Sequence, residues 1–129
     1  MKGPNELKKV LVLDSEKTFS KRLEWELAQG ACDAVFACDV PGATELIDQR
    51  DFDLAVLETN PPDIENSIGL LRKIHCEHPK TEVLMLTDFG DEELWVQVLT
   101  EGASDLVPRP ALLRELESKR PRLKSVPAE

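Results

Sequence analysis

Asp14, Glu58, Thr87 and Arg109 each stand at or just beyond the end of a short apolar run. The runs are Val10-Leu11-Val12-Leu13, Leu54-Ala55-Val56-Leu57, Val83-Leu84-Met85-Leu86 and Leu106-Val107. Two carboxylates, a hydroxyl and a guanidinium form a set suited to phosphate or divalent-metal chemistry. Carboxylates hold hard cations, and a guanidinium forks onto anionic oxygens. Continuous apolar runs of this length read as parallel strands buried on both faces. In an open parallel α/β sheet, ligands collect at the carboxyl ends of the strands. The four residues are therefore expected to share one pocket, with Glu58 the most telling of them.

The elements that would place them alternate along the chain. Strands are predicted at about residues 9–13, 34–37, 54–57, 82–86 and 105–107. The first helix is expected to start at Ser15 as N-cap, to turn Phe19, Leu23 and Leu27 inward at helical spacing, and to end at Gly30. The second opens near Pro41, which suits a first turn, and buries Ala43, Leu46 and Ile47. Pro61-Pro62 keeps residues 59–66 in a loop. The third helix carries Ile68, Leu71 and Ile74. Asp91 is expected to cap the fourth, with Leu94, Val98 and Leu99 inward and Gly102 closing it. Pro110 opens the fifth, offering Leu112, Leu113 and Leu116. The pattern predicts one α/β domain over residues 1–120, a three-layer αβα sandwich around a five-stranded parallel sheet of order 2-1-3-4-5. Residues 121–129, with two prolines and no periodicity, read as a flexible tail or the start of a linker.

Bulk properties narrow the class. A chain of 129 residues is one domain by length, and 41% hydrophobic with 32% charged residues is a globular composition. No apolar run approaches the ~20 residues of a membrane helix, and the four apolar residues before Asp14 are too few for a signal-peptide core, so a cytoplasmic location without membrane contact is expected. Cys32, Cys38 and Cys76 lack the spacing of a disulfide framework or zinc site. Residues 1–108 carry 10 basic and 22 acidic side chains, and residues 109–129 carry 6 and 3. So acidic a body would repel nucleic acid.

Val10 to Asp14, the turn from Glu58 to Pro62, Leu86-Thr87, and Gly102-Ala103-Ser104-Asp105 running on to Arg109-Pro110 together resemble a response-regulator receiver domain. The resemblance covers about residues 8–120 and implies the CheY-like, flavodoxin-like fold and a role in two-component phosphorelay signalling. In that family an acidic pair after the first strand helps hold Mg²⁺. An aspartate ending the third strand accepts a phosphoryl group, a threonine or serine ends the fourth, and a lysine precedes a proline after the fifth. Asp14 matches the first acid, and Ser15 falls where the second is expected. Glu58 takes the phosphoacceptor position, Thr87 the hydroxyl position, and Arg109, before Pro110, the lysine position. Asp14, Glu58 and Asn60 stand where the metal ligands would lie, in a weak or absent Mg²⁺ site. No other cofactor is expected.

Three positions depart from the pattern, and they lie nearest the chemistry. Ser15 replaces a charged ligand with a neutral hydroxyl. Glu58 is one methylene longer than aspartate, and a misplacement of about 1 Å can cost in-line transfer about 10²-fold. Arg109 forks onto a carboxylate as lysine cannot. A longer acid facing a longer base predicts a standing Glu58–Arg109 ion pair near Asp14 and Thr87, with Glu58 a partial stand-in for a phosphoaspartate. The chain then reads as a degenerate pseudo-receiver, not an enzyme, that regulates by protein–protein interaction. Its implied partners are a kinase, an output domain or an effector, and homodimerisation is open. The plain alternative is that Glu58 ends its strand without conformational consequence. A working receiver that accepts phosphate on Glu58 is the other signalling reading. Asp14-Ser15-Glu16-Lys17-Thr18 also distantly echoes the nucleophile motif of haloacid-dehalogenase-type phosphatases, although the chain is short for such a site.

Beyond the pocket, Trp25 lies off the inward stripe of the first helix. Trp95, Val96 and Leu106 are predicted to form an interaction face, with Leu106 where the family commonly has an aromatic residue. His75 and His78 have i, i+3 spacing but no evident third ligand.

Overall fold

The computed structural model describes residues 8–30, 32–59, 64–88 and 92–118. Strands and helices alternate without exception: β1 (Lys8–Leu13), α1 (Lys17–Gln29), β2 (Cys32–Ala37), α2 (Val40–Gln49), β3 (Leu54–Glu58), α3 (Ile64–Glu77), β4 (Glu82–Thr87), α4 (Glu92–Thr100), β5 (Asp105–Pro108) and α5 (Arg109–Ser118). The five strands form one sheet of order β2-β1-β3-β4-β5, and every neighbouring pair is parallel. This is the expected architecture, and the strand order reverses between β1 and β3.

The apolar runs sit in the centre of the sheet because they are covered on both faces. Leu11, Leu13, Ala55, Leu57, Val83 and Met85 point to the side occupied by α2, α3 and α4, in a core completed by Ile47, Leu71 and Ile74. Val10, Val12, Val56 and Leu86 point to the other side, against Phe19, Leu23 and Leu27 of α1 and Leu112 of α5. Alternation along each strand thus builds two cores from one run. Each fully buried Leu, Ile or Val stabilises the fold by roughly 1.5–3 kcal/mol.

The inward stripe of α1 is as expected, and so is burial of Ala43 and Ile47 on α2. On α4 only Val98 is fully buried, with Leu94 and Leu99 half-covered; on α5 Leu112 is buried, with Leu113 and Leu116 half-covered. The start of α1 is a correction. Its N-cap is Glu16, whose side chain accepts the Phe19 N–H at 2.8 Å, and Ser15 is engaged elsewhere. Asp39 caps α2 by accepting from the Gly42 N–H, with Pro41 in the first turn. Gly102 closes α4 with φ of +113°, a conformation that side chains disfavour.

Asn60, the Pro61-Pro62 turn, Asp91 and the segment 119–129 lie outside the described residues, so the metal-ligand reading of Asn60, the capping by Asp91 and the tail or linker at 121–129 have no structural description. Among the described residues, no helix is long and apolar enough to cross a membrane.

Candidate functional site

The ends of β1, β3 and β4 and the start of α5 meet at the carboxyl edge of the sheet. Asp14 follows β1 and is buried, its backbone N–H donating to the Ala37 carbonyl at 3.1 Å and so tying it to β2. Glu58 is the last residue of β3, and Thr87, also buried, the last of β4. Arg109 is the first residue of α5 and is buried too. The sequence-predicted set is therefore assembled in one place.

Arg109 organises it. Nε donates to Asp14 Oδ2 at 3.0 Å and Nη2 to Asp14 Oδ1 at 3.1 Å, a two-pronged pairing. Nη2 also donates to Glu58 Oε1 at 3.2 Å, and Nη1 donates to Asp88 Oδ1. The Phe19 ring of α1 lies under the guanidinium, 5.6 Å from Cζ to centroid, within cation–π range. One cation thus gathers three carboxylates from three strand ends. The expected Glu58–Arg109 pair is present, but it is the looser arm: Asp14, with its side chain fully buried, holds Arg109 by two nitrogens.

Ser15 has a role different from capping. Its backbone N–H and its Oγ both donate to Glu58 Oε1 at 3.1 Å. Asp14 Oδ1 in turn accepts the Glu16 N–H at 2.8 Å. The β1–α1 turn is therefore stitched to the end of β3 through a single glutamate oxygen that also receives Arg109. Serine, lacking charge, can give this oxygen two donors where a second acid would repel it.

The charge environment follows from burial. Burial pushes the Glu58 carboxyl above its ordinary value; the Ser15 backbone hydrogen bond opposes this, Asp14's charge adds to it, and the Ser15 hydroxyl and Arg109 pull it back without cancelling it. Burial works against Arg109's charge, but the hydrogen bonds and charges of Asp14 and Asp88 outweigh it and raise its pKa. The guanidinium stays protonated.

Sequence reasoning missed two participants. Asp88 directly follows Thr87, so an acid just beyond the Val83–Leu86 run was the available signal. Thr59 is buried and holds the rim of the sheet: its N–H and Oγ1 both donate to the Leu86 carbonyl, at 2.9 and 2.6 Å. Nothing in its type or spacing marks that role.

Among the described residues, the side chains of the pocket do not suit an octahedral Mg²⁺ centre. Both Asp14 oxygens and Glu58 Oε1 are turned to the guanidinium, and Ser15 offers no charge. Among the described residues, no group of three or more His, Cys, Asp or Glu is arranged to hold a metal ion.

The predicted interaction face needs correction at one residue. Trp95 and Val96 are exposed on α4, at 45% and 51%, and Trp95 Nε1 donates to Asp105 Oδ1 at 3.2 Å. Leu106 is buried in the α2–α4 core, paired in register with Met85. Strand alternation turns Asp105 outward and Leu106 inward, so Leu106 supplies packing and no surface. Trp25 is exposed on α1.

The sequence model of the response regulator receiver domain matches residues 10–119. The chain belongs to this family. Against the response regulator protein PilR of Pseudomonas aeruginosa, the receiver domain is 33% identical over 124 residues, covering 94% of this chain and 28% of that protein. Against the transcriptional regulatory protein CpxR of Escherichia coli it is 31% identical over 113 residues, 88% of this chain and 47% of that one. The chain thus spans less than half the length of these curated relatives. A response regulator from Thermotoga maritima superposes with a TM-score of 0.77 at 22% identity, over 88% of this receiver domain and 97% of the other, which shows the shared fold.

Proposed function

We propose that this receiver domain transmits a signal by protein–protein contact and does not depend on phosphorylation. One observation carries the reading: the Arg109 guanidinium gathers Asp14, Glu58 and Asp88, at the ends of β1, β3 and β4. A cation built into the chain neutralises the carboxylates that a metal ion would otherwise share. Glu58 Oε1 already accepts from Ser15 and Arg109, so one of the two carboxylate oxygens at the phosphoacceptor position is committed to hydrogen bonds. Glu58 supplies reach and negative charge at the phosphoacceptor position without modification, though with less charge than a phosphate. Its partner is a signalling protein, a kinase, output domain or effector, met through the exposed Trp95 and Val96 of α4. The names of the relatives, response regulator and transcriptional regulator, favour an output that reaches transcription.

Incubation with Mg²⁺ and acetyl phosphate, or with beryllofluoride, followed by intact mass measurement and NMR, tests this. We expect no stoichiometric adduct and an unchanged spectrum. Stoichiometric labelling at Glu58 would overturn the reading in favour of a working receiver. That second reading has one observation behind it: the Glu58 side chain keeps 14% exposure, against 6% for Arg109.

A further inference from the structure

Among the described residues, the large hydrophobic side chains that stand exposed are Trp25 on α1 and Trp95 and Val96 on α4. The two helices belong to opposite layers. α1 packs on the side of the sheet that carries Val10 and Val12, and α4 on the side that carries Leu11 and Leu13. The two patches therefore face opposite sides of the molecule.

Charge distinguishes them. Lys21 and Arg22 lie four and three positions before Trp25, one helical turn away on the same face. Lys17, a turn earlier, is exposed as well, and Glu24 is the one exposed acid of α1. On α4 the order repeats with the sign reversed. Glu92 and Glu93, both exposed, lie four and three positions before Val96. Asp105, which accepts the Trp95 Nε1–H, adds a third acid, and α4 itself contains no basic residue.

An aromatic anchor with a charged rim has the composition of a protein contact face. Pairing α1 with α1 sets base against base, and pairing α4 with α4 sets acid against acid; like-charge repulsion opposes both. Pairing α1 with α4 sets opposite charges together and brings the apolar side chains into one cluster.

We propose that α1 of one copy of the chain docks on α4 of a second copy, the helices laid parallel so that Lys21 and Arg22 meet Glu92 and Glu93 while Trp25 meets Trp95 and Val96. Such docking rests on α4 serving as a contact face, as in the proposed function. The contact is head-to-tail, and with the patches on opposite layers one partner covers only one of them. Association therefore proceeds past the dimer, to a ring or a filament. A docked copy covers Trp95 and Val96, so self-association and capture of a signalling partner compete for one surface.

Sedimentation velocity of the full chain from micromolar to millimolar concentration tests this. The average mass is expected to climb beyond that of a dimer. Trp25→Ala and Trp95→Ala each disable one patch at an exposed position, and each alone is expected to associate at least about tenfold more weakly. Mixed in equal amounts, they retain one intact α1 and one intact α4 and are expected to form a 1:1 dimer and nothing larger. Lys21→Glu with Arg22→Glu leaves both tryptophans in place and is expected to abolish growth, so the proposal is tested even where a tryptophan variant folds poorly. A chain that stays monomeric throughout would overturn the proposal. So would a mixture that stays monomeric, or a single tryptophan variant that still dimerises through its remaining patch. Sedimentation reads assembly and the phosphodonor experiment reads Glu58, so either can fail without the other.

Discussion

Arg109 makes its closest pairing with a carboxylate that has no exposed side-chain surface, and this sets the cost of losing it. Arg109→Ala leaves Asp14 charged, buried and short of its main partner, and removes the cation over Phe19. Breaking a buried pair from one side costs about 3–5 kcal/mol; urea unfolding should show a loss of that order. Glu58 makes a prediction in pH. Its folded pKa lies above the ordinary 4.5, so the folded chain holds this proton more tightly than the unfolded chain. Its contribution to stability therefore declines as pH rises from 4.5 through the raised value and is level above it. The stability of the native chain minus that of Glu58→Gln should fall across this window, and a constant difference from about pH 4 to about pH 7 would contradict the assignment. Asp14, Glu58, Thr87 and Arg109 were legible because each ends an apolar run, and strand ends converge in a parallel sheet. The division of labour among them was not. That Asp14 outranks Glu58 as Arg109's partner depends on the helical start at Arg109 and on Asp88 taking the remaining nitrogen, neither of which spacing reveals.

Elements were read well where local pattern and tertiary environment agree. The β1, β3 and β4 runs are apolar at every position because both faces are covered, and no competing periodicity blurs them. The start of α1 was misread because Ser15, a good cap by type, is claimed by Glu58 from 43 positions away, leaving Glu16 to cap. Leu106 was misread because a four-residue strand gives too little alternation to tell inward from outward. The α4–β5 turn offers a sharper test. A Cβ at Gly102 would come within 2.6 Å of His75 Cγ and Nδ1, at φ of +113°. Gly102→Ala should therefore destabilise by about 1–3 kcal/mol from backbone strain, with a steric share added. Adding His75→Ala should recover the steric share alone, and thermal unfolding of the single and double variants separates the two.

At the scale of the molecule, two cores flank one sheet and an apolar patch stands clear of both. Leu106→Ala should cost about 2–5 kcal/mol, as a deletion in the α2–α4 core does. Trp95→Ala, at an exposed position, should stay within about 0.5 kcal/mol of the parent. Guanidinium unfolding of the two variants checks whether α4 presents a surface that contributes little to the fold. If Trp95→Ala unfolds as readily as Leu106→Ala, the patch is structural and cannot be the contact face. Charge follows the same division, with the acidic excess confined to residues 1–108 and the basic excess to residues 109–129.

The tie between Arg109 and Asp14 joins residues 95 positions apart. During translation, at about 5–20 residues per second, the acids Asp14, Glu58 and Asp88 are made seconds before the base that gathers them. A nascent chain can zip β1 to β2 and β3 early, yet its upper edge carries mutually repelling carboxylates until the ribosome has delivered the start of α5. A chain stalled before Arg109 therefore carries those carboxylates without the cation that gathers them.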